Sequence, residues 1–192
     1  RRQKDLHPTG QKEYDFFLSV LFPDSQLMIM DYNRVVKDLN GLDTETFLQK
    51  VSAKFDVMKM QSGQVRPEEK GTFGMYLEDR WYLLKAHAEI RKDDAVDGLD
   101  VSVLQNELLG PVLGIGDPRT DDRIDFIGGI RGLSELERRC HEDMKVAFAM
   151  YPTSIHELFA VADAGRLMPP KSTWFEPKLL SGLFIHAIND KI

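Results

Sequence analysis

The chain has 192 residues, 42% hydrophobic and 29% charged, which suits one domain with a real core or at most two small ones, neither disordered nor fibrous. No apolar run approaches the roughly 20 residues of a membrane-spanning helix, so an integral helical membrane protein is excluded. Twenty-five Lys and Arg against 31 Asp and Glu give a formal charge of −6, so binding duplex DNA would need a local basic patch.

A single cysteine, Cys140, rules out an internal disulfide framework and a Cys-based zinc site, and fits a reducing, cytoplasmic compartment. The chain opens Arg1-Arg2-Gln3-Lys4 with no Met and no apolar leader, and a break follows at Pro8-Thr9-Gly10. Residues 1–13 are therefore expected to be the remnant of an upstream helix or linker, with 14–192 a single domain cut from a longer protein.

In chain order, residues 14–22 are aromatic and β-branched and stop at Pro23-Asp24-Ser25; with the apolar run 26–31 they predict a strand pair. Asp43 or Thr44 caps a helix carrying Phe47, Leu48, Val51 and Phe55 at helical spacing. A polar loop at 61–70 leads into a hairpin, 72–77 and 81–86, around Glu78-Asp79-Arg80. Residues 99–109 predict a helix with Asp100 as N-cap and Val101, Leu104 and Leu108 on one face. Ser134 with Glu137, and Ser154 with Glu157, predict capping boxes for two more helices. Ile155, Leu158, Phe159 and Ala162 form the second one's apolar stripe, and Gly165 its left-handed C-terminal cap. Residues 145–150 and 183–188 have strand length and apolarity. Helices, hairpins and short strands interspersed in this way predict an α+β fold: a mixed or antiparallel sheet with three to four packed helices.

The segment 114–132 is the densest in chemistry, with five glycines, three arginines and four aspartates in nineteen residues. Charges so concentrated are costly to bury unpaired, so some face a ligand or they pair with one another. Gly128-Gly129 followed by Arg131 and the helix start at Ser134 suits a phosphate or carboxylate, through backbone N–H groups and a guanidinium. The alternative is a web of Asp117, Arg119, Arg123 and Asp125 that holds a long loop together. Neither a P-loop nor a dinucleotide fingerprint is present. In 168–178, three prolines stiffen a loop in which Lys171, Ser172 and Thr173 suit a phosphate and Trp174 or Phe175 a stacked ring. The alternative is a rigid crossover whose Trp174 and Phe175 plug the core and whose Lys residues are solvated, the commoner use of such loops. The five histidines have no metal spacing, and neighbours Cys140 and His141 do not face each other along a helix. Arg1, Arg2, Lys4 and Lys12 are a short basic cluster able to touch nucleic acid or simply to be solvated.

Leu99-Asp100-Val101-Ser102-Val103-Leu104, Gly114-Ile115-Gly116-Asp117, Asp125-Phe126-Ile127-Gly128-Gly129-Ile130-Arg131-Gly132, Tyr151-Pro152-Thr153-Ser154 and the Pro169-Pro170-Lys171-Ser172-Thr173-Trp174-Phe175 run resemble a known family. It is the C-terminal half of a large prokaryotic family of unknown function, often labelled ParB-like or chromosome-partitioning-like. Asp31-Tyr32-Asn33-Arg34-Val35-Val36 matches as well and suggests Asn33 and Arg34 as polar groups at a strand end. The family's upstream Asp-Gly-His-His-Arg motif does not occur in this sequence.

Distant ParB-like relatives include a kinase that phosphorylates free serine. The resemblance therefore implies a nucleotide- or phosphate-dependent small-molecule enzyme, with ADP or ATP and Mg as cofactors of the full-length protein. This domain would supply Arg119, Arg123, Arg131, Lys171 and Ser172, completed by the N-terminal half of its own chain. The other readings are a ParB-like module for nucleic acid or a partner, and a structural lid or dimerisation domain forming a homo-oligomer.

Overall fold

The computed structural model describes residues 13–21, 23–178 and 180–188, so the basic cluster at Arg1, Arg2, Lys4 and Lys12 lies outside the described residues, as does Phe22. The chain divides into two units, residues 1–28 with 177–192, and residues 29–176.

In the first unit the described elements are 3₁₀ turns at Glu13–Asp15 and Asp24–Gln26. The predicted strand at 14–22 is not formed over its described residues, and the one at 183–188 is absent. Phe17, Leu21, Phe184 and Ile185 are exposed there. Aromatic and β-branched residues favour a strand only where a partner strand completes the ladder.

The second unit holds the sheet. The strands among the described residues are β1 Met28–Met30, β2 Tyr32–Val36, β3 Phe55–Lys59, β4 Thr72–Leu77, β5 Arg80–Ala86, β6 Ile124–Gly128, β7 Val146–Met150 and β8 Trp174–Glu176. Six of them run β3-β5-β4-β7-β2-β6, each neighbour antiparallel, while β1 pairs with β8. The predicted partner of the 26–31 run was 14–22; its observed partner is β8. Phe55 opens β3 instead of extending the preceding helix.

Both faces of the six-stranded sheet are covered, which explains why β4 and β7 are buried at every position and read as continuous apolar runs. Val36, Phe73, Met75, Phe148 and Met150 face the larger core, closed by α1 Thr44–Ser52 and α2 Asp100–Leu104. Val35, Tyr76, Trp81, Ile127, Ala147 and Ala149 face the smaller one, closed by α3 Ser134–Glu142. The fourth helix, α4 Ile155–Asp163, follows β7. This is the expected α+β architecture with four helices.

The hairpin turn is Glu78-Asp79, both in the left-handed region (φ 49° and 59°), as two-residue hairpins require. Neither residue favours that backbone, and tertiary bonds hold it: the Glu78 carboxylate accepts from Thr44 Oγ1 at 2.6 Å and Lys145 Nζ at 3.0 Å. Asp79 Oδ1 lies 2.7 Å from His141 Nε2.

Of the predicted caps, Asp43 accepts from the Thr46 N–H at 2.7 Å, and Ser154 with Glu157 makes a complete capping box. Ser154→Ala is expected to lower stability by about 1 kcal/mol, read as an earlier urea midpoint at unchanged slope. Gly165 (φ 64°) ends α4, with Arg166 N–H donating to the Val161 carbonyl and Gly165 N–H to Ala162. The buried residue of α4 is Val161, whereas Phe159 and Ala162 are exposed.

Two predicted caps are corrected. Leu133 is the N-cap of α3, and Glu137 instead accepts from Trp81 Nε1 at 2.7 Å and Gln64 Nε2 at 2.9 Å. Leu99 is the N-cap of α2, and Asp100 inside the helix reaches the Gly71 N–H. In both cases a tertiary donor displaces the local one.

Candidate functional site

Where β2 and β6 run side by side, Arg34 lies opposite Phe126, with Ile124 two residues further along. Above them the helix that begins at Asp100 changes at Gln105 into a π-helical turn, Gln105–Leu109, a wide geometry often found at functional sites. Val101, Gln105 and Leu109 from this helix, Gly116 to Arg119 from one loop and Leu167 to Pro170 from another enclose a cleft of about 370 Å³ with Arg34 in its wall. That size falls in the range of roughly 300–1,000 Å³ for small-molecule sites. The two chemistry-bearing segments of the sequence thus meet in one cleft.

Arg34 is central to it and lies within β2 rather than at its end. It is only 4% exposed, yet among the described residues it makes no ion pair. One guanidinium nitrogen donates to the Tyr32 carbonyl and the other to the Lys171 carbonyl at 3.0 Å, with the Phe126 ring face 5.6 Å away. Burial pushes its pKa down to about 10, with the Tyr32 hydroxyl acting weakly the other way. Lys171, in the left-handed region (φ 59°), turns this carbonyl toward Arg34 and sets its ammonium 5.5 Å from the Tyr32 ring and 5.8 Å from Phe126. At the rim Asp117 and Arg119 form an exposed forked pair, Nη2 to Oδ2 at 2.8 Å, which holds the Asp117 carboxyl down at about 2.

The other candidates serve the frame. Arg123 donates to the Leu113 and Gly114 carbonyls at 3.0 Å and pairs with Asp121 at 2.8 Å, so it pins the loop that carries Gly116 to Arg119. Asp125 pairs with Arg139 at 2.8 Å, and Arg131, 65% exposed in its side chain, pairs with Glu135 at 3.6 Å; neither lines the cleft. Ser172 is buried, its hydroxyl donating to the Pro169 carbonyl at 2.6 Å, and Thr153 Oγ1 donates to the Ser172 carbonyl at 3.1 Å. Thr173 is half-buried beside it.

Gly128 and Gly129 are required by packing. A Cβ on Gly128 would lie 2.5 Å from the Trp174 ring, and one on Gly129 would lie 2.2 Å from Asp31 Oδ1. Trp174 meets the Tyr32 ring edge-on at 5.4 Å. Behind the cleft, buried Asn33 donates to Asp31 Oδ2 at 2.6 Å and accepts from the Met150 N–H at 2.8 Å. Burial pushes the Cys140 thiol up to about 12, away from the thiolate form.

Sequence reasoning missed Gln105, Leu109, Phe126 and Met168. Nothing in residues 99–109 signals a π turn. A charged residue inside the apolar strand Tyr32–Val36 was the available signal for Arg34.

Among the described residues, no helix is long and apolar enough to cross a membrane. Solved structures similar to this chain include a free serine kinase mutant in complex with AMP (15% identity, 78% of this chain and 54% of that one, TM-score 0.46). Others are a free serine kinase mutant with ADP (15% identity, 78% and 54%, TM-score 0.45) and a conserved hypothetical protein from Pyrococcus furiosus (14% identity, 78% and 56%, TM-score 0.45). The chain spans about half the length of these structures. No curated protein sequence matches it. Residues 1–102 match a family described as "Protein of unknown function (DUF1015)", a match that includes Asp31 to Val36 and stops short of the glycine-rich and proline-rich segments. With more than half of its length in that match, the chain belongs to the DUF1015 family of proteins of unknown function.

Proposed function

We propose that the Arg34 cleft binds the phosphate or carboxylate group of an anionic small molecule. The observation that carries this reading is the buried guanidinium in a cleft wall with only carbonyls and a ring face as partners. A buried cation without a counter-charge is costly, and an oxyanion arriving in the cleft supplies what it lacks. Lys171 beside the Phe126 ring adds positive charge to the same region, while Arg119 at the rim is already paired with Asp117.

The apolar walls of Val101, Leu109, Ile124, Phe126 and Met168 suit the uncharged part of the ligand. A nucleotide combines both halves, so ADP and ATP, with Mg²⁺, are the first ligands to test. In the intact protein the cleft would serve a phosphate-dependent small-molecule enzyme, the serine-kinase-like form being the one that the sequence resemblance implies. Arg34, Lys171 and Gln105 act here in binding.

Calorimetry on the full-length protein with ADP, ATP and inorganic phosphate tests the reading. Arg34→Met is expected to weaken binding about 10- to 100-fold, the worth of a charge-assisted hydrogen bond. Arg131→Ala, outside the cleft, is expected to leave it unchanged. An Arg34→Met protein that keeps its fold and wild-type affinity overturns the assignment, as does a wild type that binds none of the three.

A further inference from the structure

A second cleft, of about 360 Å³, shares no lining residue with the first. Its lining includes Lys70, Arg91, Lys92, Asp93 and Asp100. Asp100 is 9% exposed, and both of its carboxylate oxygens lie 3.0 Å from the Gly71 nitrogen. Arg91 lies along the same glycine, its Nε 3.1 Å from where a Gly71 Cβ would be.

The cations here are unequally used. Lys70 Nζ is 2.7 Å from Glu157 Oε1, Lys92 reaches Asp97 only at 4.0 Å, and Arg91 makes no ion pair among the described residues. Within the lining the acidic groups are buried Asp100 and exposed Asp93. We propose that this cleft is a second anion site, for a compact oxyanion such as the phosphate or sulfate group of a small molecule, held by Arg91 and Lys92 with Asp100 as internal competitor.

An ionised Asp100 offsets the cations and repels the ligand, whereas a protonated one releases them and leaves a hydroxyl donor. Burial, with Glu157 adding to it, raises Asp100 to about 6 against the opposing pull of the Gly71 N–H, Lys70 and Arg91. Anion binding is therefore coupled to proton uptake at Asp100 and strengthens as pH falls through that value.

Sulfate is the probe, because its double charge does not change over this range. In an NMR titration of the full chain, the Gly71 and Gly98 amides are expected to move saturably, with sulfate binding about tenfold tighter near pH 5 than near pH 7.5. Asp100→Asn is expected to bind near pH 7.5 as tightly as the wild type does near pH 5. Arg91→Ala with Lys92→Ala abolishes the shifts, and Arg34→Met leaves them intact, which separates this site from the first. Shifts that scatter without saturating, the mark of an adventitious ion only, overturn the proposal; so does a pH dependence that persists in Asp100→Asn.

Discussion

Gly129→Ala is expected to destabilise the protein by about 2–4 kcal/mol, although it adds one methyl group and leaves the favourable backbone region untouched. The added Cβ would sit 2.2 Å from Asp31 Oδ1 and 2.5 Å from its Cγ, and neither atom is the free end of a flexible side chain. Asp31 is 4% exposed and held by Asn33 Nδ2 at 2.6 Å, while its own carbonyl accepts from the Gly129 N–H at 2.8 Å. The carboxylate must leave a buried position to make room. Gly128→Ala, whose Cβ would sit 2.5 Å from the Trp174 ring, is expected to cost a similar amount by pushing Trp174 off Tyr32. Urea unfolding with an unchanged slope measures both. If these glycines bound a ligand through their N–H groups alone, alanine would leave stability nearly untouched and change only affinity.

Asn33→Leu is expected to lower stability by about 3–5 kcal/mol although both side chains have four heavy atoms branched at Cγ. It strands two buried groups at once: the Met150 N–H, which now donates to Asn33 Oδ1 at 2.8 Å, and the Asp31 carboxylate, whose remaining cationic neighbour is an exposed Arg66 at 3.6 Å. Asn33→Asp keeps the acceptor for Met150 but sets a second carboxylate beside Asp31, so it is expected to be destabilising too, and more so as pH rises. Thermal unfolding at two pH values separates the variants. Equal melting temperatures for Asn33→Leu and the wild type would refute the claim that this polar pair ties β2 to β7.

The α+β class, the hairpin, α1 with its Asp43 cap and α4 with its capping box were legible in the sequence because each rests on neighbours within about four residues. The failures share one cause. Glu137 and Asp100 have the spacing of local caps, but Trp81 and Gly71, 56 and 29 residues away, offer better donors in the folded chain. Residues 14–22 have strand composition without a strand partner among the described residues, and composition does not supply one.

The cleft divides in the same way. Residue chemistry alone singled out 114–132 and 168–178 as the segments carrying charge, glycine and stiff backbone, whereas Arg34 came only with the family resemblance, as a polar group at a strand end. Which arginine is buried without a carboxylate partner is not a local property. Arg119 and Arg123 have aspartates two residues away and pair with them; Arg34 has none, and the sheet buries it. The pattern of charges along the chain determined which residues were available to bind an anion. Only the tertiary structure decided which of them is buried without a counter-charge, because burial and pairing depend on residues far away in the chain.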